Sequence, residues 1–400
     1  MKILLILIVI IFIFEFLIYQ LIKKIKFSKW ILTSENFNYL FNKKKFQKFK
    51  NNNYSENLGW DKKKNLKNYE IRNNEKIFYS INKNGFRESN YTKYKNRIST
   101  FGDSYTFCRQ SKNNETWQEI ISKDKKEFVS NYGVGNYGLD QAFIKYQKTK
   151  LNRNTKIVIF GIVPETICRI QSVWKNYMEF GNVHGFKPYC TLKNKKIIIK
   201  KNLLKRKHKF KDLKTIIKNV NKVDRFYNDK YKKYIFKSPY IIYFLKNFSF
   251  NLKISIKYLT LLIKKKNTPE IIESNFFPIV MKQNIILSHK LYDEEYSKFL
   301  LKSLIIKINN EVKKKNKRKC FFVILPQLYD LRVKTRKNYQ KFFKKIDNKL
   351  NMIDTTNLFL KQKNFSKLYI SDKYGGHLSK KGNAFVSKIL IKKIYNERNV

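Results

Sequence analysis

The 400-residue chain carries 87 Lys+Arg against 29 Asp+Glu, a formal charge of +58, with 42% hydrophobic and 16% aromatic residues. That apolar content excludes a disordered polyelectrolyte; four cysteines exclude a disulfide-dense scaffold, and 12 glycines with 6 prolines exclude collagen-like and low-complexity classes. The charge itself is poor evidence for nucleic acid. It comes from 75 lysines and only 12 arginines spread along nearly the whole chain, and just two alanines occur, Ala142 and Ala384. Lys, Asn, Ile, Phe and Tyr have AT-rich codons, so base composition is read as setting much of the charge. A phosphate-binding surface would cluster its charge and recruit Arg for bidentate contacts, so nucleic acid is not an expected partner. Attraction to anionic glycans or lipid headgroups is physically reasonable at this charge.

Residues 3–22, ILLILIVIIFIFEFLIYQLI, are long enough to cross ~30 Å of hydrocarbon as a helix. Seventeen of these residues are strongly apolar. At roughly −0.3 to −0.6 kcal/mol each they outweigh about +3 kcal/mol for Glu15. Lys23, Lys24 and Lys26 close the segment, with Tyr19 near that interface. A cleaved signal peptide would show a shorter apolar region followed by small residues at the cleavage site. No alanine precedes Ala142, so residues 1–29 are expected to be an uncleaved single-pass anchor. A literal positive-inside count puts the body in the cytoplasm, but lysine is so abundant that the rule loses contrast.

Residues 30–95 read as a linker and lead-in, with Ile81–Arg87 as a turn into a globular domain. From residue 96 the pattern changes. Strands are expected at 97–101, 127–131 and 156–162, and helices at 115–123 and 139–151. Residues 192–290 read as a basic, helical insertion with solvated lysine faces. A helix over 294–315 then precedes a buried strand at 320–326 and a short strand at 352–354. The closing helix, 377–394, places Val386, Ile389, Leu390 and Ile394 on one stripe. The α/β body is thus split into 96–191 and 291–400. Alternating strands and helices, with near-continuous apolar strands, imply an α/β three-layer sandwich on a mainly parallel sheet.

Ser104 follows Gly102-Asp103 at the end of the first such strand, where parallel sheets place their active sites. Taken alone, Gly-Asp-Ser reads rather as a helix cap or strand-end turn. A serine nucleophile needs a base, and the histidines are His184, His208, His289 and His377. His208 lies in a lysine run and His289 is read as lying near a helix start. His377 follows Gly375-Gly376 and precedes the last helix, and Asp372 lies upstream, able to fold back across the glycine pair. Ser104, His377 and Asp372 are therefore the candidate nucleophile, base and orienting acid. The four cysteines show no metal-like spacing, and a Cys168–Cys190 disulfide is one possibility outside the cytoplasm. Trp174, Tyr177, Phe180 and Phe186 are expected to pack in the core, and Tyr137, Asp140 and Gln141 to scaffold their loop, with Asp140 as a candidate helix cap.

Three ordered blocks carry a resemblance: FGDSYTF, NYGVGNYGLDQ and D-x-x-x-x-H-L-S-x-x-G-N. Together with the lead-in NGFR and VILPQ, they resemble the SGNH (GDSL-type) hydrolase superfamily, most closely its membrane-anchored members associated with cell-surface polysaccharides. The resemblance covers about half the chain. It implies a flavodoxin-like fold and ester chemistry, with Ser104 as nucleophile and its N–H as first oxyanion donor. The second donor would come from the loop where Asn136, preceded by Gly135, holds the family's glycine position. The family's third donor, an Asn side chain, is missing from Gly161–Arg169, where Arg169 could supply positive charge instead or Glu165 could serve another role at the oxyanion and substrate site. The family's D-x-x-H spacing is stretched at Asp372. The implied function is a membrane-anchored serine esterase or O-acyltransferase acting on acyl, chiefly acetyl, esters of a surface glycan. It needs no cofactor or metal, and it places the body outside the cytoplasm. The competing readings are an inactive SGNH-fold protein that binds or assembles surface polysaccharide and, more remotely, a membrane-tethered basic protein that binds nucleic acid or an acidic polymer.

Overall fold

The computed structural model describes residues 2–25, 32–33, 41–179, 181–266, 268–334, 337–347, 350–370 and 376–395. Its centre is a five-stranded parallel sheet: β1 (Asn96–Gly102), β2 (Phe128–Asn131), β3 (Ile157–Ile162), β4 (Lys319–Ile324) and β5 (Asn351–Asp354). The strands lie side by side in the order β2-β1-β3-β4-β5, and every pairing is parallel. This is the flavodoxin-like order, whose switch point lies between β1 and β3. The three-layer sandwich expected from the alternating pattern is the fold found.

Side-chain alternation explains the layers. In β3 and β4 the residues Val158, Phe160, Cys320, Phe322 and Ile324 point to one face, and Ile157, Ile159, Phe321 and Val323 to the other. The first face packs on Phe143 and Tyr146 of helix Leu139–Lys148, Leu300–Val312 of helix Glu295–Asn316, and Phe342–Phe343 of helix Asn338–Asp347. The second face packs on Trp117 and Ile121 of helix Trp117–Lys125 and on the Val386, Ile389, Leu390 and Ile394 stripe of helix Lys380–Tyr395. Both faces are covered, so every residue of β3 is buried.

Directly beneath the end of β1, Gly102 and Gly161 make room for the Thr106 side chain. A Cβ at Gly102 would lie 2.1 Å from Thr106 Oγ1 and 2.6 Å from the Gly161 carbonyl oxygen. Gly102→Ala is therefore expected to destabilise the protein by about 1–3 kcal/mol through overpacking, read as a lowered denaturation midpoint.

The 192–290 insertion begins within the first strand of the hairpin Tyr189–Lys193/Lys196–Lys200 and continues as helices Leu213–Val223, Arg225–Asp229, Tyr240–Lys246, Phe248–Ile263 and Pro269–Leu291. Asp224 fastens it to the body, accepting the N–H groups of Val173 and Trp174 at 2.8 and 2.9 Å. His289 lies in the last turn of Pro269–Leu291, not near a helix start, because the apolar run preceding it is one long helix. It is buried, with Nε2 2.8 Å from Asp330 Oδ1.

All four cysteines are buried free thiols, so the Cys168–Cys190 bridge is not formed. The two face different partners: Cys168 lies beside Glu165 and Ser288, and Cys190 beside Asp140 and Lys187. The N-terminal helix α1 (Lys2–Ile25) is long and apolar enough to cross a membrane, and its side chains from Ile3 to Phe14 are exposed.

Candidate active site

β1 delivers Gly102-Asp103-Ser104 to its carboxyl end, and α2 (Ser104–Phe107) begins there. Asp103 caps α2, its Oδ1 accepting the Tyr105 N–H at 2.9 Å. Arg87, from the NGFR lead-in, is buried under the same turn. It donates to the carbonyls of Phe107 (2.8 Å), Cys108 (3.0 Å) and Ser111 and to Asn113 Oδ1 (2.9 Å). The segment after the serine is thus held by a guanidinium from a separate part of the chain.

His377 arrives from the other end of the sequence. Gly376, at φ 64°, takes the left-handed conformation that glycine favours and lies against Leu328. The Gly376 carbonyl accepts the Tyr105 hydroxyl at 2.9 Å, and the His377 carbonyl accepts the Ile370 N–H at 2.7 Å. The Tyr105 ring packs on the imidazole with centroids 5.2 Å apart. So held, His377 Nε2 lies 3.0 Å from Ser104 Oγ, and both side chains are buried. Burial first, then the positive charges of Arg109 and Arg169, hold the imidazole well below its ordinary value of 6.5. It is therefore neutral at pH 7 and able to accept a proton. Asp372 lies outside the described residues, and His377 Nδ1 has no partner among the described ones.

Arg169 and Glu165 are bound to each other and fasten the loops around Ser104. Arg169 Nε and Nη2 donate to Glu165 Oε2 at 2.9 and 2.6 Å, and Nη1 donates to Asp103 Oδ2 and the Tyr137 carbonyl, both at 3.1 Å. Burial alone would lower the Arg169 value. The carboxylates of Glu165 and Asp103 outweigh it and raise the value above the ordinary guanidinium range. One guanidinium therefore ties together the loops after β1, β2 and β3. Gly135 and Asn136 sit half-buried in the β2 loop. Asn136 has a left-handed φ of 68°, and the Gly135 carbonyl accepts the Trp60 indole N–H at 3.0 Å.

The surrounding scaffold follows the sequence expectations with one change. Tyr137 and Gln141 donate to the carbonyls of Trp60 (2.7 Å) and Leu58 (2.6 Å). Asp140 is not the helix cap, which is Gly138; it pairs instead with buried Lys187 at 2.6 Å. Trp174, Tyr177 and Phe186 are buried core, and Phe180 lies outside the described residues. His184 stacks on Phe49 with centroids 5.0 Å apart, and His208 Nδ1 accepts the Lys205 N–H at 2.9 Å. Neither is placed with Ser104.

Sequence reasoning missed Tyr105, which braces His377, and it treated Asp103 as a cap alone. An acidic residue directly before the serine was visible, but its partner 66 residues later carried no local signal.

The domain is a flavodoxin-like α/β/α sandwich with a hydrogen-bonded Ser–His pair at the switch point of its sheet. No protein-family model matches the chain, and no curated protein is significantly similar to it. Among solved structures it is similar to a protein assigned to the lipolytic G-D-S-L family from Desulfitobacterium hafniense, at 10% identity and TM-score 0.31, covering 74% of this chain and 99% of that one. It is similar to a member of the same family from Veillonella parvula, at 9% identity and TM-score 0.33, covering 74% and 96%. A protein from Lactobacillus plantarum gives 7% identity and TM-score 0.36, covering 76% and 98%.

Proposed function

We propose that the chain is a membrane-anchored serine esterase or O-acyltransferase of SGNH type, acting on acyl, chiefly acetyl, esters of a cell-surface glycan. The observation that carries this reading is the 3.0 Å contact between Ser104 Oγ and His377 Nε2, at the sheet edge where such folds bind ligands. Ser104 Oγ attacks the ester carbonyl as His377 takes its proton. The oxyanion is held by the Ser104 N–H and a backbone N–H of the Gly135–Asn136 loop. His377 returns the proton to the leaving sugar oxygen, and the acyl group stays on Ser104. Water or a second sugar hydroxyl, deprotonated by His377, then takes the acyl group, and His377 returns that proton to the departing Ser104 Oγ. Asp372 is proposed to orient the imidazole. Arg169 and Glu165 act as positioning residues, since the Arg169 donors are spent on the loops. The anchor is α1, with the body outside the cytoplasm.

The depressed His377 value sets the pH dependence. The base works when neutral, so activity should persist as pH falls through 6.5, and the acid limb of kcat/KM should lie below that value. Stability runs the same way. A His whose folded value is depressed binds fewer protons folded than unfolded, so stability is lost as pH drops below 6.5.

A second reading, an SGNH-fold protein that binds or assembles polysaccharide without turnover, is favoured by one observation. With its guanidinium spent on Glu165, Asp103 and the Tyr137 carbonyl, Arg169 does not supply a donor in place of the family's Asn, and losing one oxyanion donor costs roughly 10²–10³ in rate. The full-length protein should be incubated with an O-acetylated polysaccharide and acetate followed by NMR. Release of acetate, or its transfer to an added sugar acceptor, is expected. Retention of all O-acetyl groups, with the polysaccharide bound, would favour the binding protein.

A further inference from the structure

The insertion carries an apolar surface that the site chemistry does not use. Helix α3 (Tyr240–Lys246) packs against α1, and α4 (Phe248–Ile263) follows it, packed on α3 and on helix Pro269–Leu291. On α4, Phe248, Leu252, Ile256, Leu259 and Ile263 are between 38% and 82% exposed. At 100° per residue they fall within an arc of about 80°. Ile242 and Leu245 of α3 are also exposed. The opposite side of α4, with Phe250, Ile254, Tyr258 and Leu261, is buried in the body. The helix is therefore apolar on two sides, and only one of them has a protein partner among the described residues. A soluble surface rarely leaves so many large apolar side chains contiguous.

Glu15 says what lies against that face. This carboxylate sits inside the apolar run of α1, where an isolated charge costs about 3 kcal/mol. It accepts the N–H groups of Tyr240 and Ile241, at 2.6 and 2.8 Å, and so caps α3. Tyr19 and Tyr240 pack with centroids 5.4 Å apart, and Ile18 and Ile22 are buried against the body. Eight residues separate Glu15 from Lys23, about 12 Å along the helix. If Lys23 marks the hydrocarbon edge, the start of α3 lies well inside the same leaflet. Lys253 and Lys257 lie on one side of the apolar arc, about 60° and 100° beyond its edge, and Lys264, Lys265 and Lys266 follow its end. Long cationic side chains there reach from an apolar seat to anionic headgroups.

We propose that α3 and α4 are a second membrane contact, with their exposed apolar face immersed in a phospholipid leaflet beside α1 and their lysines at anionic headgroups. The body is then seated in the bilayer rather than tethered above it. This rests on the reading that α1 crosses the membrane. The test uses the full chain in nanodiscs of equal parts phosphatidylcholine and phosphatidylglycerol. Single bimane labels are placed at Ile256→Cys and Leu259→Cys, with Ile10→Cys on α1 and Lys214→Cys on the helix Leu213–Val223 as references. The unsubstituted chain reports any labelling of the buried native thiols. Emission from positions 256 and 259 should be lost to doxyl-labelled lipid and resist iodide, as at position 10, while position 214 behaves oppositely. Iodide quenching at 256 and 259 equal to that at 214, with position 10 still quenched by lipid, overturns the proposal and leaves the anchor standing. Shielding from both quenchers overturns it in favour of a protein covering. A position 10 that lipid does not quench removes the anchor, and this proposal with it.

Discussion

Ser104→Ala and His377→Ala are each expected to lower ester turnover by about 10³-fold or more, and the double variant should be hardly worse than either single one. The two side chains act as a unit across a 3.0 Å hydrogen bond, so removing either removes proton transfer from the serine. The residual rate comes from backbone donors and binding, which the substitutions leave in place. Neither change should unfold the protein. The turn carrying Ser104 is held by the Asp103 cap and the Arg87 guanidinium, and the backbone carbonyls of Gly376 and His377 are held by Tyr105 and Ile370 respectively. Steady-state kinetics on p-nitrophenyl acetate, beside thermal melts of the same samples, separates the two effects.

Arg169→Met is expected to cost about 3–5 kcal/mol of stability, because it leaves the buried carboxylates of Asp103 and Glu165 without their shared cation. Turnover should also fall in whatever fraction stays folded, since the loops after β1, β2 and β3 lose their common tie. Arg169→Lys should rescue little. A single ammonium cannot reproduce a fork that reaches Glu165, Asp103 and the Tyr137 carbonyl together. Chemical denaturation of the three proteins measures the first effect. A Lys variant as stable as the wild type would show that the charge, not the fork, is what the site needs.

Much of this architecture was legible because it is written in local periodicity. The unbroken apolar runs of β3 and β4 announced strands buried on both faces, and the stripe of Val386, Ile389, Leu390 and Ile394 announced a helix covering one of them. Ser104 and His377 were legible for another reason: their flanking glycines and strand-end position have a chemical meaning. What stayed hidden are contacts between distant segments. Arg169 meets Asp103 across 66 positions, Tyr105 meets Gly376 across 271, and Glu15 meets Tyr240 across 225. No window of sequence contains both partners of such a pair. Glu15 shows the consequence: read alone, it was a charge the apolar run had to outweigh, whereas in the fold it is a helix cap. Arg169 was read only as a group that could supply positive charge, because its three acceptors come from separate loops.

The most direct test is a search for the covalent intermediate. The full-length protein is mixed with p-nitrophenyl acetate, quenched in acid within the first turnovers, and digested for mass spectrometry. The account predicts one acetyl group on Ser104, absent from Ser104→Ala and from His377→Ala. A folded protein that turns the ester over with no acetyl group on Ser104, or with the same adduct in Ser104→Ala, would contradict it.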